Sequence, residues 1–350
     1  MRVRALRQLH FRNLTTADVR LPDGVTCVVG RNAAGKSNLV DAVYLGCTAS
    51  LPNGTVAQTL RFGESEGFVG VALQVGDERH TVEVGLSAGR KAVRLDGQAV
   101  RSADVARLGG AVRIAPEDAD LVHGPPALRR GFLDDLLARL SLRYALMLRG
   151  YHRVVEQRNA VLKRSGADAT LPVWDARFAE LGDEIDALRR RALTRLAPIA
   201  GQAYADVAGD GKHLSLTLRR SAGGAALLEA LAATRDEERA RAATVVGPHR
   251  DDLELALDEH DVRAFGSRGE ARTTALALRV AEFALLEERH GTPPVLLIDD
   301  VSAELDVDRR AYLMALARRT PQALVTGTEP PPDADRVWPI AGGRLEVTDA

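Results

Sequence analysis

The spacing of apolar residues divides the chain into stretches of different texture. From Val3 to Leu14 apolar and polar positions alternate, with Leu9 and Phe11 set against polar neighbours, and the spacing predicts a strand. Asp18 to Leu21 reads as a second short strand, Pro22-Asp23-Gly24 as a turn, and the apolar run Val25 to Val29 as a buried strand. A helix over Asn38 to Gly46 and a loop at Pro52-Asn53-Gly54 follow. Residues 68–75, 79–86 and 90–95 alternate again, broken by Gly76-Asp77 and Ala88-Gly89, with another hairpin signal at Asp96-Gly97. They predict an antiparallel meander beside the strand–helix pair.

After Ile114 the period lengthens to that of a helix. Leu128 to Lys163 carries Phe132, Leu133, Leu136, Leu137 and Leu140 at helical spacing, and would extend about 55 Å at 1.5 Å per residue. Gly166 to Pro172 interrupts it. A second long helix is expected from about Val173 to Ala205, with a kink at Pro198. A strand at His213 to Leu218, a helix at Ala225 to Ala243, strands at Leu253 to Leu257 and Val262 to Phe265, and a long helix from Gly266-Ser267 to about His290 come next. Pro293-Pro294 then introduces Val295-Leu296-Leu297-Ile298-Asp299-Asp300. Four apolar residues ending in two carboxylates mark a buried parallel strand that delivers acids to the edge of a sheet. Ala323 to Val325 and Val337 to Ile340 finish that sheet. The pattern reads as an α/β protein whose mixed sheet and antiparallel meander come from residues 1–114 and 243–350, with a helical arm domain inserted at 115–242.

Composition narrows the picture. With 350 residues, 45% of them hydrophobic, the chain can build one large core or two smaller ones. No apolar window is long enough for a membrane span, and the N-terminus has no apolar signal region. Cys27 and Cys47 lack metal spacing. The expectation is a cytoplasmic protein with no membrane partner. Net charge is −1 but uneven: +5 over residues 1–114, +2 over 115–242 and −8 over 243–350. Such unevenness permits an attractive face for DNA. Arg143, Arg149, Arg153 and Arg158 stud the arm, interspersed with acidic residues. Aromatic residues make up only 4%, which argues against stacking on single strands and for backbone contact with duplex or junction DNA.

The chemistry is concentrated at Gly30-Arg31-Asn32-Ala33-Ala34-Gly35-Lys36-Ser37. This run fits the phosphate-loop pattern G-x-x-x-x-G-K-[ST], with a strand before it and a helix after it. Glycines let successive N–H groups face phosphate oxygens, and the helix start adds partial positive charge. Lys36 is placed to reach the β- and γ-phosphates and Ser37 to ligate Mg²⁺. Only Lys36, Lys91, Lys163 and Lys212 among the 47 basic residues are lysines. A compact ammonium at 36, in a chain that otherwise uses arginine, suits a tight loop. Asp299 is placed to hold Mg²⁺, and Asp300 to orient or deprotonate water. Ser267-Arg268-Gly269-Glu270 opens a helix, where donors make an anion site and the same residues also make a cap.

The order of these pieces, ending in Ser302-Ala303-Glu304-Leu305-Asp306, resembles the ABC-type ATPase head. That resemblance implies a signature helix, here Ser267, Gly269 and Glu270, capping the γ-phosphate held by the other protomer. It further implies an ATP-bound two-fold homodimer, with Asp306 in a loop at the dimer contact. Within this class the chain is similar over nearly its whole length to the RecF family of bacterial recombination mediators. The likeness rests on Phe11-Arg12-Asn13, on Pro116-Glu117-Asp118 through Arg129-Arg130-Gly131-Phe132-Leu133-Asp134, and on Gly247-Pro248-His249-Arg250-Asp251-Asp252. It continues in Ser267, in Asp299-Asp300 and in Thr326-Gly327-Thr328. It implies ATP and Mg²⁺ as cofactors, ATP-dependent dimerisation on DNA, slow hydrolysis, RecA loading at gaps with RecO and RecR, and Arg12 near the phosphates. Glu270 stands where glutamine is common, the stretch Gly46 to Gln58 assigns no metal-side glutamine, and Thr326 stands where transporter heads place a histidine. An ABC transporter ATPase subunit is the competing reading; the non-standard signature and missing histidine speak against it. A structural SMC protein needs longer heptads than the 115–242 segment offers. A phosphate-loop kinase leaves the Ser267 helix unexplained.

Overall fold

Alternation builds the first sheet of the computed structural model, which describes residues 1–52, 54–87, 89–164, 170–300, 307–331 and 334–347. β1 (Arg2–Leu9) pairs antiparallel with β2 (Ala17–Arg20). β3 (Gly24–Val29) belongs to another sheet, and α1 (Lys36–Thr48) and the short α2 (Val56–Thr59) follow it. β4 (Glu66–Val75), β5 (Glu78–Ser87), β6 (Arg90–Leu95) and β7 (Gln98–Val100) then complete six strands in the order β2-β1-β4-β5-β6-β7. Val69 faces Val84 and Val71 faces Val82 across the β4–β5 ladder, all buried. Asp96 and Gly97 both take positive φ, 51° and 79°, as a tight two-residue hairpin demands. The expected first strand is shorter than its pattern: it stops at Leu9, where His10 and Arg12 turn left-handed and Phe11 bridges to Leu60 instead. α3 (Ser102–Ala106) leads to β8 (Ala111–Ile114), buried at every position.

The helical region departs more from its pattern. After α4 (Asp120–His123), the expected helix from Leu128 to Lys163 is two helices, α5 (Pro126–Leu140) and α6 (Leu142–Leu162), packed on one another. Ser141 breaks them: it is extended at φ −149°, and its hydroxyl accepts the Tyr144 N–H at 3.3 Å as the cap of α6. The Gly166 end of the expected break lies outside the described residues. α7 (Leu171–Ala208) runs 38 residues with Pro198 inside it. β9 (Leu214–Arg219) follows, and the single helix expected at 225–243 is α8 (Leu227–Ala233) and α9 (Arg235–Arg241), separated at Thr234. β10 (Asp252–Leu257) pairs with β9 and with β11 (His260–Asp261) in a three-stranded antiparallel sheet. The strand expected at Val262–Phe265 is a helical turn, α10 (Val262–Phe265), because Asp261 caps it through the Arg263 N–H at 2.7 Å. α11 (Arg268–His290) starts one residue after Ser267.

β12 (Val295–Ile298), α12 (Val307–Arg319), β13 (Gln322–Gly327), β14 (Arg336–Ala341) and β15 (Arg344–Leu345) complete the second six-stranded sheet, in the order β15-β14-β3-β13-β12-β8. Its five long members are parallel. α1 contacts strands of both large sheets, β1, β4 and β5 of one and β8, β12 and β13 of the other. Hence it is buried almost all round, as a helix without a polar face must be. A side chain at Gly46 would sit 2.4 Å from Val71, so glycine is what lets α1 lie against the antiparallel sheet.

The chain forms two compact units, Met1–Asp118 with Asp206–Ala208 and Leu278–Ala350, and Ala119–Ala205 with Gly209–Ala277. Residues 243–277, read from the pattern as part of the head, belong to the second unit. The reason is local: β10 pairs with β9, and the Gly247–Asp252 run is bonded to α5, α6 and α7, as described below.

Candidate nucleotide-binding site

Gly24–Val29 enters the phosphate loop from the middle of the parallel sheet, and Lys36 begins α1. Gly30 is required by close approach: a Cβ there would lie 2.3 Å from the Ile340 carbonyl oxygen. Gly35 takes φ 113°, and Ala33 takes φ 64° without being glycine. Asn13 ties the loop from outside, its amide donating to the Ala33 carbonyl at 3.1 Å. The first N–H groups of α1 have no partner inside the helix and face the loop. The Lys36 ammonium folds back onto the carbonyls of Gly30 (2.7 Å) and Arg31 (3.2 Å) and is buried. Asn13, Asn32, Ala33, Gly35, Lys36, Ser37, Asn38 and Asp300 line a cavity of about 380 Å³.

The two strand-end acids meet this loop. The Ser37 hydroxyl donates to Asp299 Oδ1 at 3.1 Å, and the buried Thr326 hydroxyl donates to the same oxygen at 2.7 Å. Thr326 Oγ1 also accepts the Asp300 N–H at 2.8 Å, and Asp300 holds a left-handed φ of 52°. Parallel registry of β12 with β13 makes this meeting possible. Mg²⁺ asks for oxygen ligands about 2.0–2.1 Å away at right angles, which spaces neighbouring ligands about 2.9 Å apart. The Ser37–Asp299 pair, at 3.1 Å, fits that requirement. Two protein oxygens with phosphates supplying the rest also suit an ion that keeps most of its shell for substrate.

Behind this pair lies a chain of charges. Asp41, on α1 and buried, pairs with Arg12 (Nη1 to Oδ2, 2.5 Å) and with Arg113 (Nε to Oδ1, 3.0 Å). Burial raises the Asp41 carboxyl, while Arg113 and Arg12 pull it back. Arg12 also donates to the Asn38 side chain at 2.9 Å, and Asn38 donates to Asn13 at 2.7 Å. Arg113 contacts Glu117 and lies 3.9 Å from Asp299 Oδ2. The sequence pattern gave no role to Asp41, Arg113 or Asn38, and Asn13 entered only as part of Phe11-Arg12-Asn13. The signal for two of them is visible: an acid in the otherwise apolar stretch Leu39–Leu45, and an arginine within Ala111–Ile114.

The expected signature lies in the second unit. Ser267 and Glu270 form a reciprocal cap: the Ser267 N–H donates to Glu270 Oε2 at 2.6 Å, and the Glu270 N–H to Ser267 Oγ at 3.2 Å. Lys212 pairs with the other Glu270 oxygen. That partner first, then the Ser267 donors, brings the Glu270 carboxyl down to about 2. Ser267 is exposed, and Gly269 lies in the first turn of α11. Asp306 lies outside the described residues. Gln58 is exposed and accepts the Thr55 N–H at 2.8 Å as the cap of α2, so it joins none of the residues lining the cavity.

The Gly247–Asp252 run proves to be an interlock. Arg129 grips Asp252 with two bonds, 2.8 and 2.9 Å, and gives its remaining nitrogen to the carbonyls of Leu121, Val122 and Gly124. Arg189 joins Asp134 to the Pro248 carbonyl. Asp251 accepts the Ser221 N–H and hydroxyl. His249 sits between the Tyr151 hydroxyl (2.7 Å) and the Thr244 carbonyl (3.3 Å), and burial brings it down to about 4.

Residues 2–331 match the family described as RecF/RecN/SMC N-terminal domain. The DNA replication and repair protein RecF of Deinococcus radiodurans is 47% identical over 345 residues, spanning 99% of this chain and 95% of that protein. The RecF of Deinococcus deserti is 48% identical over the same shares. A solved structure of the recombination mediator protein RecF–ATP in the RecFOR pathway superposes with a TM-score of 0.92. The two share 26% identity over 98% of this chain and 96% of that one. An Smc head bound to the C-terminal winged-helix domain of ScpA superposes with a TM-score of 0.55 at 16% identity, over 99% of this chain and 98% of that one, a likeness of fold alone.

Proposed function

Because the chain belongs to the RecF family, we propose that it is an ATP-operated dimerisation switch acting on DNA in recombinational repair. One observation carries the reading: Ser37, Asp299, Thr326 and Asp300 are joined by hydrogen bonds at the mouth of a phosphate loop. ATP phosphates would draw the Lys36 ammonium off the loop carbonyls it occupies, and the first N–H groups of α1 would receive the remaining oxygens. Ser37 and Asp299 would hold Mg²⁺, which when bound neutralises charge on the β- and γ-phosphates. Asp300, held by its N–H to Thr326, would orient the attacking water and accept its proton. Arg12 stands one residue from Asn13 of the cavity wall and would turn from Asp41 towards the phosphates. Hydrolysis is slow in this reading.

Ser267, with Gly269, would approach the γ-phosphate held by a second copy, and Asp306 would lie at that contact. The Ser267 hydroxyl accepts the Glu270 N–H and keeps its own proton to donate. Arginines of residues 1–114 and of the helical arm would meet duplex or gapped DNA through phosphates. The named role of the Deinococcus relatives and the RecFOR context of the ATP-bound structure support the repair reading; in it RecR is the direct partner, with RecO and RecA downstream, in the cytoplasm.

Sedimentation velocity with ATP, with ADP and without nucleotide, each with and without duplex DNA, tests the proposal. Dimers should appear with ATP and be enriched on duplex. Ser267→Arg should remain monomeric while still binding ATP. Loss of ATP binding by the isolated Ser267→Arg monomer would refute the two-chain site.

A further inference from the structure

Every position of β8 is buried, yet its third residue is an arginine. Arg113 has 8% of its side chain exposed and is ringed by carboxylates. It contacts Glu117, stands 3.0 Å from Asp41 Oδ1 and 3.9 Å from Asp299 Oδ2. The contact with Asp41 is an ion pair without hydrogen-bond alignment on either atom. Parallel pairing sets Arg113 opposite Leu297, two residues before Asp299, which fixes its approach.

Asp299 therefore has two different oxygens. Oδ1 takes the Ser37 and Thr326 hydroxyls, and Oδ2 faces the guanidinium. A buried carboxylate needs a counter-charge, and a divalent ion and an arginine both supply one. Two cations serving one buried carboxylate repel each other strongly, because little solvent screens them. Phosphate oxygens arriving with ATP would offset that repulsion; without them the ion meets it in full.

We propose that Arg113 is a positioning residue that serves Asp299 as a placeholder cation and so confines divalent-metal entry to the nucleotide-loaded site. This rests on the reading that Ser37 and Asp299 hold the ion. Asp41 and Glu117 keep the guanidinium at its post, and Arg12, sharing Asp41, links that post to the residue that turns towards phosphate. Loss of structure at Arg113 would weaken metal binding. Loss of a placeholder strengthens it, and that difference in sign separates the two roles.

The test uses Mn²⁺ as the probe, with the free-ion resonance read by electron paramagnetic resonance on the full chain. Wild type should take up one Mn²⁺ with ATP and bind it weakly without. Arg113→Gln should bind Mn²⁺ without nucleotide at least tenfold more tightly than wild type, about 1.4 kcal/mol. The gained ion should vanish when Asp299→Asn is added. Unchanged or weaker nucleotide-free binding in Arg113→Gln, beside normal uptake by wild type with ATP, overturns the placeholder. Absence of uptake by wild type with ATP overturns the metal reading itself. If Arg113→Gln alone does not fold, the pair Asp41→Asn with Arg113→Gln leaves two amides in place of two charges. It should show a gain in the same direction, roughly threefold because one negative charge leaves with the positive one. No gain in the pair overturns the proposal as well.

Discussion

Thr326→Val isolates the hydroxyl that joins the two acids. Valine keeps the shape of threonine, so no cavity forms, but one donor and one acceptor disappear. Asp299 Oδ1 loses its 2.7 Å bond and keeps Ser37; the Asp300 N–H loses its 2.8 Å partner. A buried polar group left without a partner costs about 1–3 kcal/mol. Asp299 retains its Ser37 bond and Asp300 is only partly buried, so the two losses together should lower stability by about 1–3 kcal/mol. Thr326→Ser keeps both bonds and gives up one methyl, for about 1 kcal/mol. The chain has two tryptophans, and Trp338 lies buried in β14 of the same sheet. In a Trp174→Phe background, urea unfolding followed by Trp338 fluorescence therefore reports on this unit alone. Freed from Thr326, the left-handed Asp300 should lose its aim, and ATP hydrolysis should fall by roughly 10²-fold, the lower range for a misplaced general base. A Thr326→Val protein within about 0.5 kcal/mol of wild type, or a serine variant no better than valine, refutes the reasoning.

Lys36→Met should abolish ATP binding and ATP-dependent dimerisation, measured by nucleotide titration and sedimentation; normal affinity would exclude Lys36 as the phosphate ligand. Asp300→Asn should bind ATP and accumulate long-lived dimers, whereas Asp299→Asn should impair closure itself; equal dimer lifetimes for Asp300→Asn and wild type would remove Asp300 from the hydrolytic step. Arg129→Met leaves buried Asp252 with only the 3.5 Å contact of the exposed Arg219 and should destabilise the second unit by about 2–4 kcal/mol, read from Trp174 fluorescence, with ATP binding intact. His249 is held at about 4 against an ordinary 6.5. The unfolded chain then binds the extra proton between these values, so stability is complete above pH 6.5 and falls as pH drops towards 4. The loss amounts to at most about 3 kcal/mol, and His249→Gln should flatten that slope in urea titrations at a series of pH values.

The motif-bearing elements were legible because each is fixed by local chemistry. An apolar run, a glycine loop and Lys36-Ser37 favour a strand, a phosphate loop and a helix start, and four apolar residues before Asp299-Asp300 favour the end of a buried strand. Helix length was less legible. Ser141 is one polar residue in a long apolar-periodic stretch, and its role as a break depends on the Tyr144 N–H it accepts. Val262–Phe265 looks like a strand by composition, and the Asp261 cap overrides it. Arg113 and Asp41 stand out as charges in apolar stretches, but their meaning comes from pairing between elements far apart in sequence, which no window along the chain contains. The Gly247–Asp252 run stood out as a motif, but only its partners Arg129, Arg189 and Ser221 show that it fastens helices to a sheet.

The position of β3 has a consequence for synthesis. Its two neighbours are β13 and β14, and its pairing with β13 joins Gly24 to Gln322. A chain emerging from the ribosome carries a phosphate loop for about 300 residues before either flanking strand exists. The unit built from residues 119–205 and 209–277 is complete about 45 residues earlier and can fold while the loop waits. During that wait β3 is an apolar edge with unpaired N–H and C=O groups on both sides, the kind of segment chaperones hold. Closing so distant a contact is also slow. Nucleotide binding should therefore be among the last properties a newborn molecule acquires, and a ribosome-stalled chain ending before residue 322 should have none.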